Sequence, residues 1–261
     1  ILRMIVSLFV GIYVARYLGP EQFGLLSYTL SFVWLFSSLA SFGLDDLLVR
    51  ELVKFPERRK ALLGTVFWLK IGGTVIMCSL ITIVLSFAEN DQQTELMVAL
   101  IALGFFFQAT NVIDFYFQAR VQSKFSVRAQ TFQLISTSLF KIYLILNHAE
   151  LVWFAFALML DQLVVAVSFL VVYRWEIEWF SFFIFRWHQA KKLIRDAWPL
   201  IFAGLVVSIY MKIDQVMLKE MLDIKAVGIY AAAVKLCEVW YFLPTAVLAS
   251  LFPAILEARK K

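Results

Sequence analysis

The chain has 261 residues, of which 62% are hydrophobic and only 16% charged, with mean hydropathy +0.82 and a formal net charge of +5. A soluble globular chain is roughly 45–50% apolar and about 25% charged, and one water-soluble core cannot hide so much apolar surface. An ordinary soluble domain is therefore excluded, and lipid is the solvent that accepts the excess; Cys78 and Cys237 both fall in apolar runs, which gives neither disulfide nor metal-ligand spacing.

A helix needs about 20 mostly apolar residues to cross a bilayer. Windows of that kind fall at 1–16, 24–44, 61–87, 96–118, 129–147, 151–173, 197–218 and 227–252. The runs are continuous rather than alternating, so they read as helices and not as barrel strands. The expected fold class is an all-α polytopic membrane bundle of about eight spans. The chain opens at Ile1 inside an apolar run and stops at Lys261 just beyond another. We therefore expect a piece of a longer protein with its first span truncated. No small-residue cleavage site marks the opening run as a signal peptide.

The links between spans divide by charge. Those at 45–60, 119–128, 174–196 and 253–261 hold Arg50, Lys54, Arg58, Arg59, Lys60, Arg120, Lys124, Arg128, Arg174, Arg186, Lys191, Lys192, Arg195, Arg259, Lys260 and Lys261. The alternate links hold only Arg16, Lys219 and Lys225, and the segment 88–95 carries Glu89, Asp91 and Glu95 with no base. Lys and Arg in short loops stay cytoplasmic. The expected topology thus puts the N-terminus and the basic links inside a bacterial cytoplasmic membrane. Bases scattered over four links also exclude nucleic-acid binding, which needs one contiguous basic face.

Residues 1–173 read as a first lobe of six spans. The link 174–196 mixes aromatics with charges from Glu176 to Lys192, as an amphipathic stretch on the inner leaflet does. Residues 197–261 read as the start of a second lobe with two spans. A repeat supports this division: a shift of 204 residues lays Leu18 on Leu222 and Gly24 on Gly228, each pair between an apolar run, a short outer link and a second run. Six spans separate the copies, so both have one orientation, as in the parallel repeats of several transporter folds.

Charge at the centre of a spanning helix costs roughly 2.5–3.5 kcal/mol per residue, and what remains there faces a bundle interior or a watery cavity. The spans hold Arg3, Lys70, Lys141, Lys212 and Lys235 against Asp114, Asp161, Asp214 and Glu238. At 1.5 Å per residue, Lys70, Asp161 and Glu238 are the deep ones, roughly 14–16 Å in. Asn111, Asp114 and Gln118 share one helical stripe. The candidate cavity residues are Arg3, Lys70, Asn111, Asp114, Asp161, Asp214, Lys235 and Glu238. A structural reading stands beside the functional one. Lys235 and Glu238, three apart, pair on their own helix, while Lys141 and Lys212 snorkel to the outer headgroups. Pro244 is expected to kink the last span, and Gly72-Gly73 to let a neighbouring helix approach. No cofactor, metal or catalytic motif is found, and no link is long enough to be a catalytic domain, so an enzyme is not expected.

The stretch Tyr13-Val-Ala-Arg-Tyr-Leu-Gly-Pro-Glu-Gln-Phe-Gly-Leu-Leu-Ser-Tyr28 resembles the opening signature of the polysaccharide biosynthesis, Wzx-type flippases. Gly43-Leu44 with Leu48-Val-Arg-Glu51, Asp114-Phe-Tyr-Phe-Gln-Ala119, Asp214-Gln-Val-Met-Leu218 and Val227-Gly-Ile-Tyr-Ala-Ala-Ala-Val-Lys-Leu236 are similar to later landmarks of that family. The resemblance implies the multidrug/oligosaccharidyl-lipid/polysaccharide exporter superfamily, whose members have 12 to 14 spans in two lobes around a V-shaped cavity. It implies flipping of an undecaprenyl-pyrophosphate-linked oligosaccharide by alternating access, coupled to an ion gradient. Lys70 and Arg3 are then expected to hold the pyrophosphate. The expected partners are the lipid-linked oligosaccharide, membrane lipids, a polysaccharide polymerase and glycosyltransferases. The competing readings are a drug or cation antiporter using Asp161 and Glu238, a polyprenyl-phosphate sugar transferase using Asp45 and Asp46, and a scaffold bundle.

Overall fold

The computed structural model describes residues 2–87, 91–177, 184–238 and 240, with side chains from Val6 onward. Among the described residues the regular elements are all helical: α1 (Leu2–Leu35), α2 (Ser37–Ser41), α3 (Asp45–Lys54), α4 (Arg59–Phe87), α5 (Gln92–Gln108), α6 (Val112–Ala119), α7 (Ser123–Leu146), α8 (Leu151–Glu176), α9 (Trp187–Met221) and α10 (Ile224–Glu238). The all-α reading of the sequence holds.

The first helix is broken at Gly19, whose φ of 70° and ψ of 175° are open only to glycine. Pro20 follows and restarts the helix, where its missing N–H costs nothing. The break folds α1 into a hairpin. Gly11 and Phe23 are twelve residues apart, about 18 Å along a straight helix. Yet the Lys235 ammonium lies against Gly11 and only 5.9 Å from the Phe23 ring centre. The hairpin tip is pinned where the Tyr17 hydroxyl donates to the Ala149 carbonyl at 3.1 Å and its ring meets Phe154.

Four helices among the described residues are long and apolar enough to cross a membrane: Pro56–Phe87, Gln92–Ala119, Leu151–Glu176 and Trp187–Met221. A fifth, Val6–Leu35 with Ser37–Lys54, qualifies as a bent pair at 47°. The eight expected spans are thus not all matched by helices that qualify. The run expected at 129–147 is the helix α7, but Gln130, Gln133, Thr137, Ser138 and Lys141 recur on one side of it and dilute its hydropathy. The last expected span, 227–252, begins in α10, and its remainder beyond residue 240, Pro244 included, lies outside the described residues.

Two apolar clusters fill the bundle. One joins Val14, Phe23, Val33, Met77, Met97 and Phe154; the other joins Leu48, Val66, Ile113, Phe117, Tyr173 and Leu193. The amphipathic α3 caps the second cluster with Leu47, Leu48 and Leu52. The links separate with the clusters. Leu52, Pro56 and Arg59 meet Tyr116 and Arg120 at one end, which we call the basic end. Glu21, Asp91 and Lys219 meet at the other. One boundary differs from the sequence reading. Residues 187–196, expected in the amphipathic link, are the opening turns of α9, because Ala190, Leu193 and Ala197 bury themselves in the second cluster.

The two repeat glycines meet. A Cβ on Gly24 would strike the Ile224 carbonyl and the Gly228 amide, and a Cβ on Gly228 would strike the Pro20 carbonyl and the Gly24 amide. Since 20 and 224 are also related by the shift of 204, each copy presents the same patch to the other, the mark of a two-fold contact. Gly73 likewise packs against Leu39 and Phe42, whereas Gly72 faces open space. Gly24→Leu and Gly228→Leu are each expected to cost about 1–3 kcal/mol by overpacking. A thermal melt of the detergent-solubilised full-length protein checks this. Both variants should melt several degrees below wild type, while Gly72→Ala should melt no lower.

Candidate functional site

The polar stripe of α7 is not turned to lipid. Gln133, Thr137, Ser138 and Lys141 line a cavity of about 330 Å³. The hairpin of α1 supplies Ser7, Gly11, Phe23, Ser27 and Ser31 to its wall, α8 supplies Asp161, α9 supplies Lys212 and Gln215, and α10 supplies Lys235 and Glu238. Helices from both ends of the chain therefore converge on one site, because the Gly24–Gly228 contact draws α10 against α1.

The electrostatics follow from the pairing. Lys141 Nζ lies 2.6 Å from Asp161 Oδ2, and Gln133 Nε2 donates to Asp161 Oδ1 at 2.8 Å. Both oxygens of this carboxylate are thus satisfied, as a group withdrawn from water requires. Lys212 Nζ stands 3.8 Å from Glu238 Oε1. The buried Gln215 accepts from the Ser31 hydroxyl at 2.8 Å. Lys235 completes the wall, its chain passing between Gly11 and Phe23. Three lysines and two carboxylates line the cavity, so its wall carries one excess positive charge.

The structure gathers some of the residues expected from the sequence and scatters others. Asp161, Lys235 and Glu238 share the cavity. Lys70 does not line it. It is 3% exposed, bonded to Asp45 at 2.6 Å, and covered by the Phe115 ring at 5.0 Å. Asp114 sits on α6 and accepts from Gln118 at 3.0 Å, with Asn111 in the turn just before that helix. Asp214 points away from the chamber wall to accept from the Tyr230 hydroxyl and from the Gln215 amide. The side chain of Arg3 lies outside the described residues. Lys141 and Lys212, read from the sequence as also able to snorkel outward, turn inward to carboxylates instead. Glu238 meets Lys212 across helices, besides its neighbour Lys235 one turn back. Gln133, Thr137 and Ser31 were missed. For Gln133 and Thr137 the signal was the three-and-four spacing of polar residues along α7; Ser31, on α1, had no such signal.

A second cavity adjoins the first. It is an apolar groove of about 520 Å³ between the arms of α1 and α10, and it shares Gly11, Phe23 and Lys235 with the central chamber.

A family model described as "Polysaccharide biosynthesis protein" matches residues 1–258. No curated protein and no solved structure matches the chain.

The ion pair between α7 and α8 makes a prediction. Lys141→Met strands the Asp161 carboxylate, so the melting temperature in detergent should fall by several degrees, and adding Asp161→Asn should recover part of the loss. A double-mutant cycle should return a coupling of about 1–3 kcal/mol; strictly additive effects would contradict the pairing.

Proposed function

The chain belongs to the polysaccharide biosynthesis protein family, the family of Wzx-type flippases and exporters, and from that premise we propose that it carries a polyprenyl-pyrophosphate-linked oligosaccharide across the bacterial cytoplasmic membrane by alternating access. The observation that carries this reading is the excess positive charge in the central chamber. A pyrophosphate cannot enter a low-dielectric layer without counter-charge. Lys141, Lys212 and Lys235 supply it from three helices, and the hydroxyls of Ser27, Ser31 and Thr137 suit a sugar.

The adjoining groove supports the same substrate. Ile12, Ala15, Phe23, Ile229, Ala232 and Leu236 are among its lining residues, with Arg16 and Lys235 as its charged members. A prenyl chain fits such a surface, and Lys235 stands where chain and headgroup would meet. In this reading Lys235, rather than the buried and neutralised Lys70, contacts the pyrophosphate. The basic end lies in the cytosol, and the Gly24–Gly228 contact closes the opposite side. Opening that contact would release the sugar outward. A drug or cation antiporter would place cations beside Asp161 and Glu238, but each of these already faces a lysine.

The test is made in cells that lack the native gene and carry the full-length protein. Lys235→Ala and Lys212→Ala are each expected to lower surface polysaccharide at least tenfold, with lipid-linked precursor accumulating in the membrane. Lys225→Ala, at the far end of the bundle, should leave it unchanged. Wild-type polysaccharide from both chamber variants would overturn the proposal.

A further inference from the structure

At the basic end, remote from the chamber, a third cavity of about 500 Å³ lies between the start of α4 and the segment leading into α9. Arg58, Arg59, Lys60 and Arg186 line it, with Glu57 as the one acid among its lining residues. It shares no lining residue with the central chamber. We propose that this cavity binds the phosphate headgroup of an anionic lipid of the adjacent leaflet.

Three observations carry the assignment. The first is charge. Arg58 and Arg186 reach the cavity with exposed side chains, and the pair that Glu57 makes with Arg58 is a loose 3.8 Å contact between exposed groups, which water screens. Guanidinium groups bind phosphate oxygens in a fork, and the first turn of α4 adds the positive end of a long helix. The second is construction. Two segments more than 120 residues apart are held together where the Arg186 amide donates to the Thr65 hydroxyl at 3.1 Å. Pro56 fixes the turn before α4, and the Arg58 guanidinium rests 5.3 Å from the Phe55 ring. The third is the rim. Ile184 lines the cavity, and Phe185 and Trp187, on either side of the lining Arg186, hold their tilted rings 6.2 Å apart while 42% and 71% exposed. Exposed aromatics beside cations at the end of a spanning helix belong at headgroup level. They give acyl chains a surface that a free phosphate ion does not need. The inference is independent of what the central chamber transports.

The purified full-length protein, stripped of lipid in detergent, is titrated with phosphatidylglycerol, with phosphatidylcholine and with inorganic phosphate, and bound lipid is read by native mass spectrometry. Wild type should retain phosphatidylglycerol in preference to phosphatidylcholine, with inorganic phosphate unable to displace it at equal concentration. Polybasic segments gain affinity for anionic lipid with each cation, so Arg58→Gln with Arg186→Gln should weaken retention roughly 10- to 30-fold. Arg58→Lys with Arg186→Lys, which keeps the charge, should restore most of it, and Glu57→Gln should tighten it. Equal retention of phosphatidylglycerol by wild type and the double glutamine variant would overturn the proposal. So would equal retention of the two lipids, or displacement by inorganic phosphate, which would assign the cavity to a free anion.

Discussion

A charge held in hydrocarbon has to find an opposite charge or water, and the interior of this bundle is arranged by that requirement. Lys141 and Asp161 sit on neighbouring helices and approach to 2.6 Å; Lys212 and Glu238 face each other from α9 and α10; Lys70 reaches Asp45 on the capping helix. Each pair ties together two helices that follow one another along the chain. Buried ion pairs add little net stability, because desolvation offsets their attraction, but breaking one is costly. Their value here lies in where they put the odd charge. Once two carboxylates are matched, the chamber wall still holds a third lysine, Lys235.

Backbone geometry makes the pairing reachable. Without the left-handed break at Gly19, the two arms of α1 would run on for about 50 Å and could not form two sides of one chamber. Without the bare surfaces of Gly24 and Gly228, α10 could not lie close enough to bring Lys235 beside Gly11. These are backbone contacts that any side chain would obstruct, so small residues are required at these positions for a spatial reason.

Much of this was legible in the sequence, though unevenly. Composition and continuous apolar runs gave the helical membrane class, and the spacing around Gly24 and Gly228 singled out two glycines that the fold brings into contact. The bases of the links foretold that one end of the bundle would be basic. The depth of a charged residue along its own helix was a poorer guide. It ranked Lys70 as a cavity cation, but depth says nothing of which face a residue occupies, and α3 brings Asp45 up to neutralise it. It suggested lipid headgroups for Lys141 and Lys212, which turn to acids that only tertiary packing supplies. At α7, read from the sequence as the span 129–147, the polar stripe that dilutes the hydropathy is the one lining the chamber. The start of α9 was taken for a surface link because Trp187 and Lys191 masked the buried face formed by Ala190, Leu193 and Ala197.

The most direct measurement concerns the chamber itself. In a full-length protein from which Cys78 and Cys237 have been removed, Ser27→Cys places a thiol on the chamber wall and Leu103→Cys places one on the outer surface of α5, which is 48% exposed to the surroundings. Both are treated, in membranes, with a charged water-soluble thiol reagent, with and without added polyprenyl pyrophosphate. A water-filled anion chamber requires that Ser27→Cys be labelled, that the pyrophosphate lipid slow this labelling, and that Leu103→Cys remain unlabelled. An inert Ser27→Cys, or one labelled at the same rate with and without the lipid, would contradict it.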